Sequence, residues 1–129
     1  REEKIAVILI THDIGAVAAA ADRVVVLYAG QVAEQGPVLD VLTDPIHPYT
    51  RGLLASVPDF RAKRGTERAE IPGLPPDQSQ LEPGCRFAPR CDRAEPACHV
   101  RRPDLTVLAG ARAVACPVAL RARSDHAKI

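Results

Sequence analysis

Four cysteines are the residues of this sequence with the clearest capacity for chemistry. They follow the spacing C-x5-C-x6-C-x17-C in the last third of the chain: Cys85, Cys91, Cys98 and Cys116. Four thiols can bind one four-coordinate metal ion or one iron–sulfur cluster, and they can also form two disulfides. Independent buried thiols are a fourth interpretation, because Cys is among the most buried residue types.

One histidine also occupies a position suited to chemistry. His12 lies in the run Thr11-His12-Asp13, directly after the aliphatic stretch Ile5–Ile10. Such a stretch is typical of a strand buried on both faces of a parallel sheet, and ligands bind at the carboxyl edge of such sheets. A histidine there can donate a hydrogen bond to a phosphate oxygen, whereas an isolated histidine is usually a surface or core residue.

The composition indicates where these residues act. The net charge of +1 argues against nucleic-acid binding. No apolar stretch approaches the roughly 20 residues that a bilayer requires, and the sequence does not open with a signal-peptide pattern. We therefore expect a reducing cytosol, where a cysteine cluster is more often metal-binding than disulfide-bonded.

Short elements are predicted to position the histidine. Asp13 is expected to cap a helix over Ile14–Ala21, and a second aliphatic strand is expected over Arg23–Tyr28. A turn at Ala29-Gly30 then leads into Gln31–Gln35, which alternates like an edge strand and completes a hairpin.

The second half is predicted to be less regular. Prolines favour helix starts at Val38–Leu42 and at Tyr49–Val57. Residues 58–84 are polar and proline-rich, as expected for a linker or an irregular wrapping segment. A short strand is predicted at Arg112–Ala115, followed by a charged tail that we expect to fray.

The run from Val7 to Val17, followed by the run from Ala21 to Gly36, resembles the end of an ABC-transporter nucleotide-binding domain. That family shows strand, Thr-His-Asp, helix, Ala-Asp-Arg, strand, glycine turn and strand in this order. The resemblance implies that His12 is the switch histidine, which contacts the γ-phosphate of ATP and helps to place the attacking water. It also implies ATP and Mg²⁺ as cofactors of the full-length subunit.

The other ATPase motifs are missing from the sequence. It contains no G-x-x-x-x-G-K-S/T loop to hold the phosphates, no strand ending in paired acidic residues, and no copy of the family's signature sequence. In the family, all of these precede the switch histidine. We therefore expect a C-terminal fragment of a subunit that does not hydrolyse ATP alone.

A second resemblance covers the remainder of the chain. The segments His47-Pro-Tyr-Thr-Arg-Gly-Leu-Leu54, Ile71-Pro-Gly-Leu-Pro-Pro76 and Gly84-Cys-Arg-Phe-Ala-Pro-Arg-Cys91 resemble the C-terminal extension of oligopeptide/dipeptide-type ABC ATPases, and Val114-Ala-Cys116 matches its closing cysteine. The resemblance implies an importer of di- or oligopeptides or, in some relatives, nickel complexes. It also implies a second ATPase subunit and transmembrane permeases as partners, on the cytoplasmic face of the plasma membrane.

The expected fold class is α/β in two parts. Residues 1–45 would be the C-terminal part of a P-loop ABC ATPase core, arranged as strand, helix, strand and hairpin, and residues 46–129 an irregular cysteine-containing extension. Within the extension, Pro48 is expected to begin a helix, Tyr49 to pack on the core and Thr50 to hydrogen-bond locally. Catalysis by His47 is a minor alternative.

For the cysteines, a metal centre is the favoured interpretation. Gaps of five and six residues are wider than the C-x2–4-C pairs of structural zinc sites, whereas a cubane cluster offers separate irons as attachment points. Some members of the resembled family carry a [4Fe-4S] cluster on this cysteine set, so we favour the cluster, with Zn²⁺ as the alternative. Arg86, Arg90 and Arg93 would either offset its negative charge or simply be solvated. With four cysteines available, His99 as a substitute ligand is only a minor alternative.

Two other functions remain open at this point. The chain could be a free-standing iron–sulfur or zinc module in which the His12 half is only scaffold. It could also be a truncated product without independent activity.

Overall fold

The computed structural model describes residues 5–57 and 70–126, which form five helices and four strands. In chain order these are α1 Ile14–Ala20, β1 Arg23–Tyr28, β2 Gln31–Pro37, α2 Val38–Thr43, α3 Pro48–Ala55, α4 Pro96–Val100, β3 Thr106–Val107, β4 Ala113–Val114 and α5 Pro117–His126. Short 3₁₀ turns occupy Ala88–Arg90 and Ala109–Ala111. The architecture is a small α/β domain.

The predicted hairpin is confirmed. Strands β1 and β2 pair in antiparallel fashion, and both turn residues have positive φ, 47° at Ala29 and 77° at Gly30. This backbone twist matches that of the flanking strands, which is why such turns are common in two-residue hairpins. The pairing register shifts between Val26 and Leu27, so the ladder contains a bulge.

The position of β2 differs from the prediction. The sheet order is β1-β2-β4-β3 with every pair antiparallel, so β2 lies inside the sheet rather than at its edge. Its second neighbour is β4, through the pairs Glu34↔Val114 and Gln35↔Ala113. The alternation of β2 shows which residues share a face but does not show which distant segment pairs with it. The sheet also takes strands from both predicted domains, and the boundary at residues 45 and 46 stays a prediction.

The strand predicted at Ile5–Ile10 is not formed. Residues 5–10 have no regular secondary structure, and their apolar side chains face solvent, with 91% of Ile8 and 93% of Ile10 exposed. A strand needs a neighbour for its backbone N–H and C=O groups, and no described residue pairs with this stretch. The P-loop part of the expected fold is therefore not shown.

Two apolar clusters support the sheet. One combines Val26, Ala33 and Val41 of the hairpin and α2, with Tyr49 and Leu53 of α3 packed against them. The other lies near the C-terminus and contains Ile46, Val114 and Ala119, with Cys116 at its margin. The first cluster is built within residues 24–53, whereas the second joins Ile46 to residues near the C-terminus.

The C-terminal segment is more ordered than predicted. Instead of a fraying tail, Pro117–His126 form helix α5, while residues 127–129 lie outside the described part. Ion pairs hold the helix down: Arg121 contacts Glu95 at 2.6 Å, and Arg123 contacts Asp44 at 2.8 Å. The acidic partners come from distant loops, so the charge pattern of the tail alone could not reveal them.

The predicted linker is described only in part. Residues 58–69 lie outside the described ranges, and residues 70–84 form bends and turns, as expected for an irregular segment. Within residues 5–57 and 70–126, no helix has the length and apolar character needed to cross a bilayer.

Candidate functional site

All four cysteines line one cavity, which we call the cysteine cavity. Its remaining walls come from the start of α3 and from the loops around the 3₁₀ turn and α5: His47, Pro48, Phe87, Ala88, Arg93, Ala94 and Val118. Each thiol is free and half-buried. The fold therefore collects onto one cavity four residues that the sequence spreads over 32 positions.

Each cysteine is placed by a different local element. The backbone N–H of Cys85 donates to the carbonyl of Cys98 in α4 at 2.7 Å, which joins those two segments directly. Cys91 ends the 3₁₀ turn, and Cys116 lies between β4 and α5. The site is thus assembled from four short segments that have little regular structure of their own.

Gly84 permits the closest of these approaches. A Cβ atom at this position would lie 2.2 Å from the carbonyl oxygen of Cys98 and 2.5 Å from the carbonyl carbon of His99. These are backbone atoms, which cannot rotate away. Only glycine therefore allows the backbone before Cys85 to pass this close to α4.

Burial shapes the chemistry of the thiols. It raises the pKa of the Cys85, Cys91 and Cys116 thiols above the ordinary value, because the surroundings disfavour a thiolate. Backbone N–H groups oppose this effect at each of the three sulfurs. Without a cationic partner, these thiols are neutral at pH 7 and are weak nucleophiles.

The described residues contain no preformed metal site. Among residues 5–57 and 70–126, no group of three His, Cys, Asp or Glu side chains is placed to hold a single metal ion. Zinc thiolates have Zn–S distances of about 2.3 Å, which brings their sulfurs to within roughly 4 Å of one another. A preformed zinc site is therefore not found in the described residues.

Of the three arginines near the first cysteines, two bind backbone carbonyls and one lines the cysteine cavity. The guanidinium of Arg86 donates to the carbonyl of Ala29 in the hairpin turn. Arg90 donates to three successive carbonyls of residues 71–73, at 2.7 to 3.1 Å. Both therefore serve as tethers between segments rather than as solvated charges, and only Arg93 lines the cysteine cavity.

His99 is placed beside the cavity but not in its lining. Its Nδ1 lies 3.1 Å from a carboxylate oxygen of Glu82, and both side chains are exposed. This contact supports a surface role. The prediction of His99 as a substitute ligand gains no support from it.

His47 is a buried polar residue on the lining of the cysteine cavity. Only 3% of the residue is exposed, and burial lowers the pKa of its imidazole to about 4, although the nearby Glu34 opposes the shift. Its Nδ1 accepts a hydrogen bond from the backbone N–H of Tyr49 at 3.0 Å and so caps α3. The imidazole is therefore neutral at pH 7, with its proton on Nε2.

The buried carboxylate of Glu34, which the sequence analysis did not single out, holds the backbone at His47 in place. Glu34 on β2 is fully buried and accepts hydrogen bonds from the backbone N–H groups of Ile46 and His47 at 2.9 to 3.1 Å. Arg112 completes its surroundings through an ion pair of 2.7 Å. The sequence of β2, which also contains Gln31 and Gln35, gave no signal that Glu34 is buried, and the burial follows from these partners.

The two residues that follow Pro48 have structural positions. The ring of Tyr49 stacks in a tilted arrangement on Tyr28 at 4.6 Å and on Phe87 at 5.4 Å, which confirms the predicted packing. The prediction for Thr50 is wrong, because its buried hydroxyl has no hydrogen-bond partner in the described structure. Helix packing, rather than a local bond, places it there.

His12 lies apart from the cysteine cavity, whose lining includes nothing from α1 or the residues before it. It is exposed in a bend just before α1. On its flanks, the Thr11 hydroxyl accepts the backbone N–H of Asp13 at 3.0 Å, and the Asp13 carboxylate caps α1 through Ala16. The second of these bonds confirms the predicted cap of α1.

Known proteins match this chain over most of its length. The family described as oligopeptide/dipeptide transporter, C-terminal region, matches residues 33–98. A putative peptide import ATP-binding protein of Brucella melitensis is 46% identical over 116 residues, covering 90% of this chain and 34% of that protein. The oligopeptide transport ATP-binding protein AppD of Bacillus subtilis is 46% identical over 110 residues, covering 85% of this chain and 33% of its own length.

A third relative shows a similar likeness over a smaller share of its length. The oligopeptide transport ATP-binding protein OppD of Mycobacterium tuberculosis is 47% identical over 110 residues, which are 85% of this chain and 18% of that protein. The chain therefore spans between 18% and 34% of the length of these curated relatives.

Proposed function

Because the chain belongs to the family of oligopeptide/dipeptide transporter C-terminal regions, we propose that it is part of the ATP-binding subunit of an ABC importer for di- and oligopeptides. The match over residues 33–98 is the observation that carries this proposal. The full-length subunit couples ATP binding and hydrolysis to transport. Its partners are a second ATPase subunit and the transmembrane permeases, and it works at the cytoplasmic face of the plasma membrane.

Within this function, His12 is the residue of this chain that contacts ATP. Its exposure and its fixed place before α1 support a role as donor to the γ-phosphate. Phosphoryl transfer depends mainly on positioning and on stabilising charge at the equatorial oxygens, so one well-placed donor affects the rate strongly. ATP and Mg²⁺ are bound by the full-length subunit, and this chain contributes the histidine.

The cysteine cavity is proposed to hold a [4Fe-4S] cluster on Cys85, Cys91, Cys98 and Cys116, with Zn²⁺ as the alternative. The common cavity that all four cysteines line is the observation that supports this proposal. When bound, such a cluster links four polypeptide segments and can exchange an electron. The linkage suits a segment with few regular elements, because metal binding contributes directly to folding free energy.

The alternative of a free-standing metal module has less support. Strand β2, which follows the His12 helix and β1, is paired with β4 from the cysteine-containing part. A module that used the first half only as scaffold would not need Glu34 and Arg112 to join the two halves in the interior. We therefore prefer a function in which both parts act within one subunit.

The proposal is tested in the organism that encodes this chain. A strain carrying His12→Ala is grown with a dipeptide as its only source of a required amino acid, beside a strain carrying His99→Ala. Loss of peptide-dependent growth with His12→Ala alone is expected, whereas growth on the free amino acid should be unchanged in both. Normal uptake of labelled peptide in the His12→Ala strain would contradict the proposal.

The metal proposal is tested separately. Anaerobic purification of the full chain is followed by a visible spectrum and by analysis of iron, sulfide and zinc. Iron and sulfide in equal amounts support the cluster, and stoichiometric zinc supports the alternative. A colourless protein with four titratable thiols contradicts both.

A further inference from the structure

Two of the four cysteines are held next to each other by their backbones. The backbone N–H of Cys85 donates to the carbonyl of Cys98 at 2.7 Å, and within residues 70–126 this is the only backbone hydrogen bond that joins two cysteines. Residues paired by such bonds in a sheet have Cα atoms about 5.5 Å apart, and disulfides span Cα distances of about 4.4 to 6.8 Å. The backbones of this pair therefore lie at the separation that a disulfide requires.

The side chains of the pair reach the same space. Cys85 and Cys98 both line the cysteine cavity, and each is a free thiol that is only partly buried. Two cysteines whose side chains diverge cannot be bridged without movement of the backbone. Because these two share one cavity, they can be bridged, and a small dissolved molecule can reach them.

Local bonds keep both residues in these positions. The carbonyl of Cys85 accepts the backbone N–H of Ala88 at 2.9 Å, and the N–H of Cys98 donates to the carbonyl of Glu95 at 2.8 Å. The close approach also depends on Gly84, where a Cβ atom would collide with the Cys98 carbonyl. The two cysteines are thus positioned for each other before any bond forms between their sulfurs.

The other two cysteines lack such a link. The turn and loop bonds of Cys91 run to Ala88 and Ala94, and that of Cys116 runs to Leu120, all within their own segments. In the part of the chain that the structure describes, no backbone bond ties either of them to another cysteine. The geometry therefore singles out one pair among the six that four cysteines allow.

We propose that Cys85 and Cys98 form a reversible dithiol–disulfide pair in the metal-free chain, with a small-molecule disulfide such as oxidised glutathione as the oxidant. One cysteine sulfur, as the thiolate, attacks the small disulfide and releases one small thiol. The second cysteine sulfur attacks the protein sulfur of this mixed disulfide and releases the other. Two protein thiols are oxidised to one disulfide, and the two electrons and two protons end on the two small thiols.

The pair gives the cavity a dependence on redox state. Metals bind thiolates, so a disulfide between Cys85 and Cys98 removes two of the four candidate ligands of the proposed metal centre. Oxidation and metal binding therefore exclude each other. The pairing itself does not rest on the proposed function, and its test uses the chain without metal.

The full chain is reduced, freed of metal with a chelator, and incubated anaerobically with excess oxidised glutathione at pH 8.5, because neutral thiols exchange slowly. Arginines lie between consecutive cysteines, so trypsin places the four on separate peptides and mass spectrometry without reduction identifies each pair. We expect the Cys85–Cys98 peptide pair at least 10-fold above any other pair, and its loss on treatment with dithiothreitol. Four free thiols, glutathione adducts alone, or pairs without preference overturn the inference and leave the proposed function intact.

Two double variants form a matched comparison. Cys91→Ser with Cys116→Ser keeps only the proposed pair, and it should lose 2 Da on oxidation and gain about 10 °C in melting temperature, as expected for a short closed loop. Cys85→Ser with Cys98→Ser keeps the other pair and should show neither change. Equal formation of an internal disulfide in both variants overturns the inference. The peptide mapping of the unsubstituted chain does not depend on whether either variant folds.

Discussion

The carboxylate of Glu34 and the guanidinium of Arg112 form an ion pair of 2.7 Å, although 78 residues separate them in the chain. Glu34 is fully buried on β2, and Arg112 lies just before β4. The same carboxylate receives the backbone N–H groups that lead into α3. One buried charge thus aligns the sheet, the C-terminal segment and the start of the helix that faces the cysteine cavity.

Removing this carboxylate should destabilise the whole domain. We expect Glu34→Gln to lower the free energy of unfolding by about 3 kcal/mol, because Arg112 keeps its charge in a buried position without that partner. Urea unfolding of the full chain measures the effect. The sequence has no Trp, so near-ultraviolet circular dichroism of the stacked Tyr28 and Tyr49 is the appropriate signal.

Arg101→Ala is the control for this experiment. Arg101 and Asp104 form an exposed pair at 3.8 Å, which should be worth less than about 1 kcal/mol. A Glu34→Gln protein no less stable than Arg101→Ala contradicts the alignment role of Glu34.

Gly84→Ala should separate Cys85 from Cys98. The added Cβ would lie 2.2 Å from the Cys98 carbonyl oxygen, so one of the two segments must move. We expect the 2.7 Å backbone bond between these cysteines to break and the amount of metal bound per chain to fall at least 10-fold. Iron and zinc analysis after anaerobic purification measures this.

Gly15→Ala serves as the comparison. Its Cβ would meet only the exposed Asp13 carboxylate at 3.2 Å, and alanine favours the helix that contains it. Normal metal content in Gly84→Ala would show that the close approach of the two segments is dispensable.

Lowering the pH from 7 to 4 should reduce the free energy of unfolding, because His47 is buried as a neutral ring. Its pKa is about 4 in the folded state against 6.5 in the unfolded chain, so the fold favours the neutral ring. The stabilisation that results from burying the neutral His47 ring is complete above pH 6.5. It declines as the pH falls to 4, because only the unfolded state then takes up the proton. The loss reaches about 3 kcal/mol, from 1.36 kcal/mol per pKa unit.

The comparison with His47→Asn isolates this effect. Asn does not titrate, so the stability difference between the two proteins should change between pH 7 and pH 4. The Arg123 guanidinium lowers the pKa of Asp44, so the stability that this carboxylate contributes is lost only below about pH 4. This loss is the same in both proteins and does not affect the difference between them. Parallel unfolding curves for wild type and His47→Asn across this range would rule out a buried neutral His47.

Arg90 should be needed to hold residues 71–73 against the domain. Its guanidinium donates to the carbonyls of Ile71, Pro72 and Gly73 and to the hydroxyl of Tyr28. Lysine cannot reproduce this planar fork, so Arg90→Lys should cost about 2 kcal/mol in the free energy of unfolding. The exposed Arg102→Lys is the control, and equal melting temperatures for the two variants would contradict the tether.

The sequence determined local structure wherever the cause was local. Asp13 caps α1, the aliphatic run Arg23–Tyr28 and the Ala29-Gly30 turn form the hairpin, and Pro48 begins α3, all as predicted. Capping residues, turn residues and proline act on backbone groups within four positions, so their effects can be read without knowledge of the fold. The motif that begins at His47 likewise sufficed to indicate the family, as the match over residues 33–98 shows.

Tertiary structure alone decided which distant segments meet. The stretch Ile5–Ile10 reads as a buried strand, yet it remains exposed because strand formation depends on a neighbour. The charge pattern of the C-terminal tail predicts fraying, yet the tail forms α5, which is held by ion pairs to Glu95 and Asp44.

The cysteine site shows the same division. Its four ligand candidates could be named from residue type and spacing, which specify chemistry. Their meeting on one cavity, the need for Gly84, and the approach of His47 depend on contacts across the chain. Those contacts are set by packing and by the burial of Glu34 against Arg112, and no local pattern in the sequence records them.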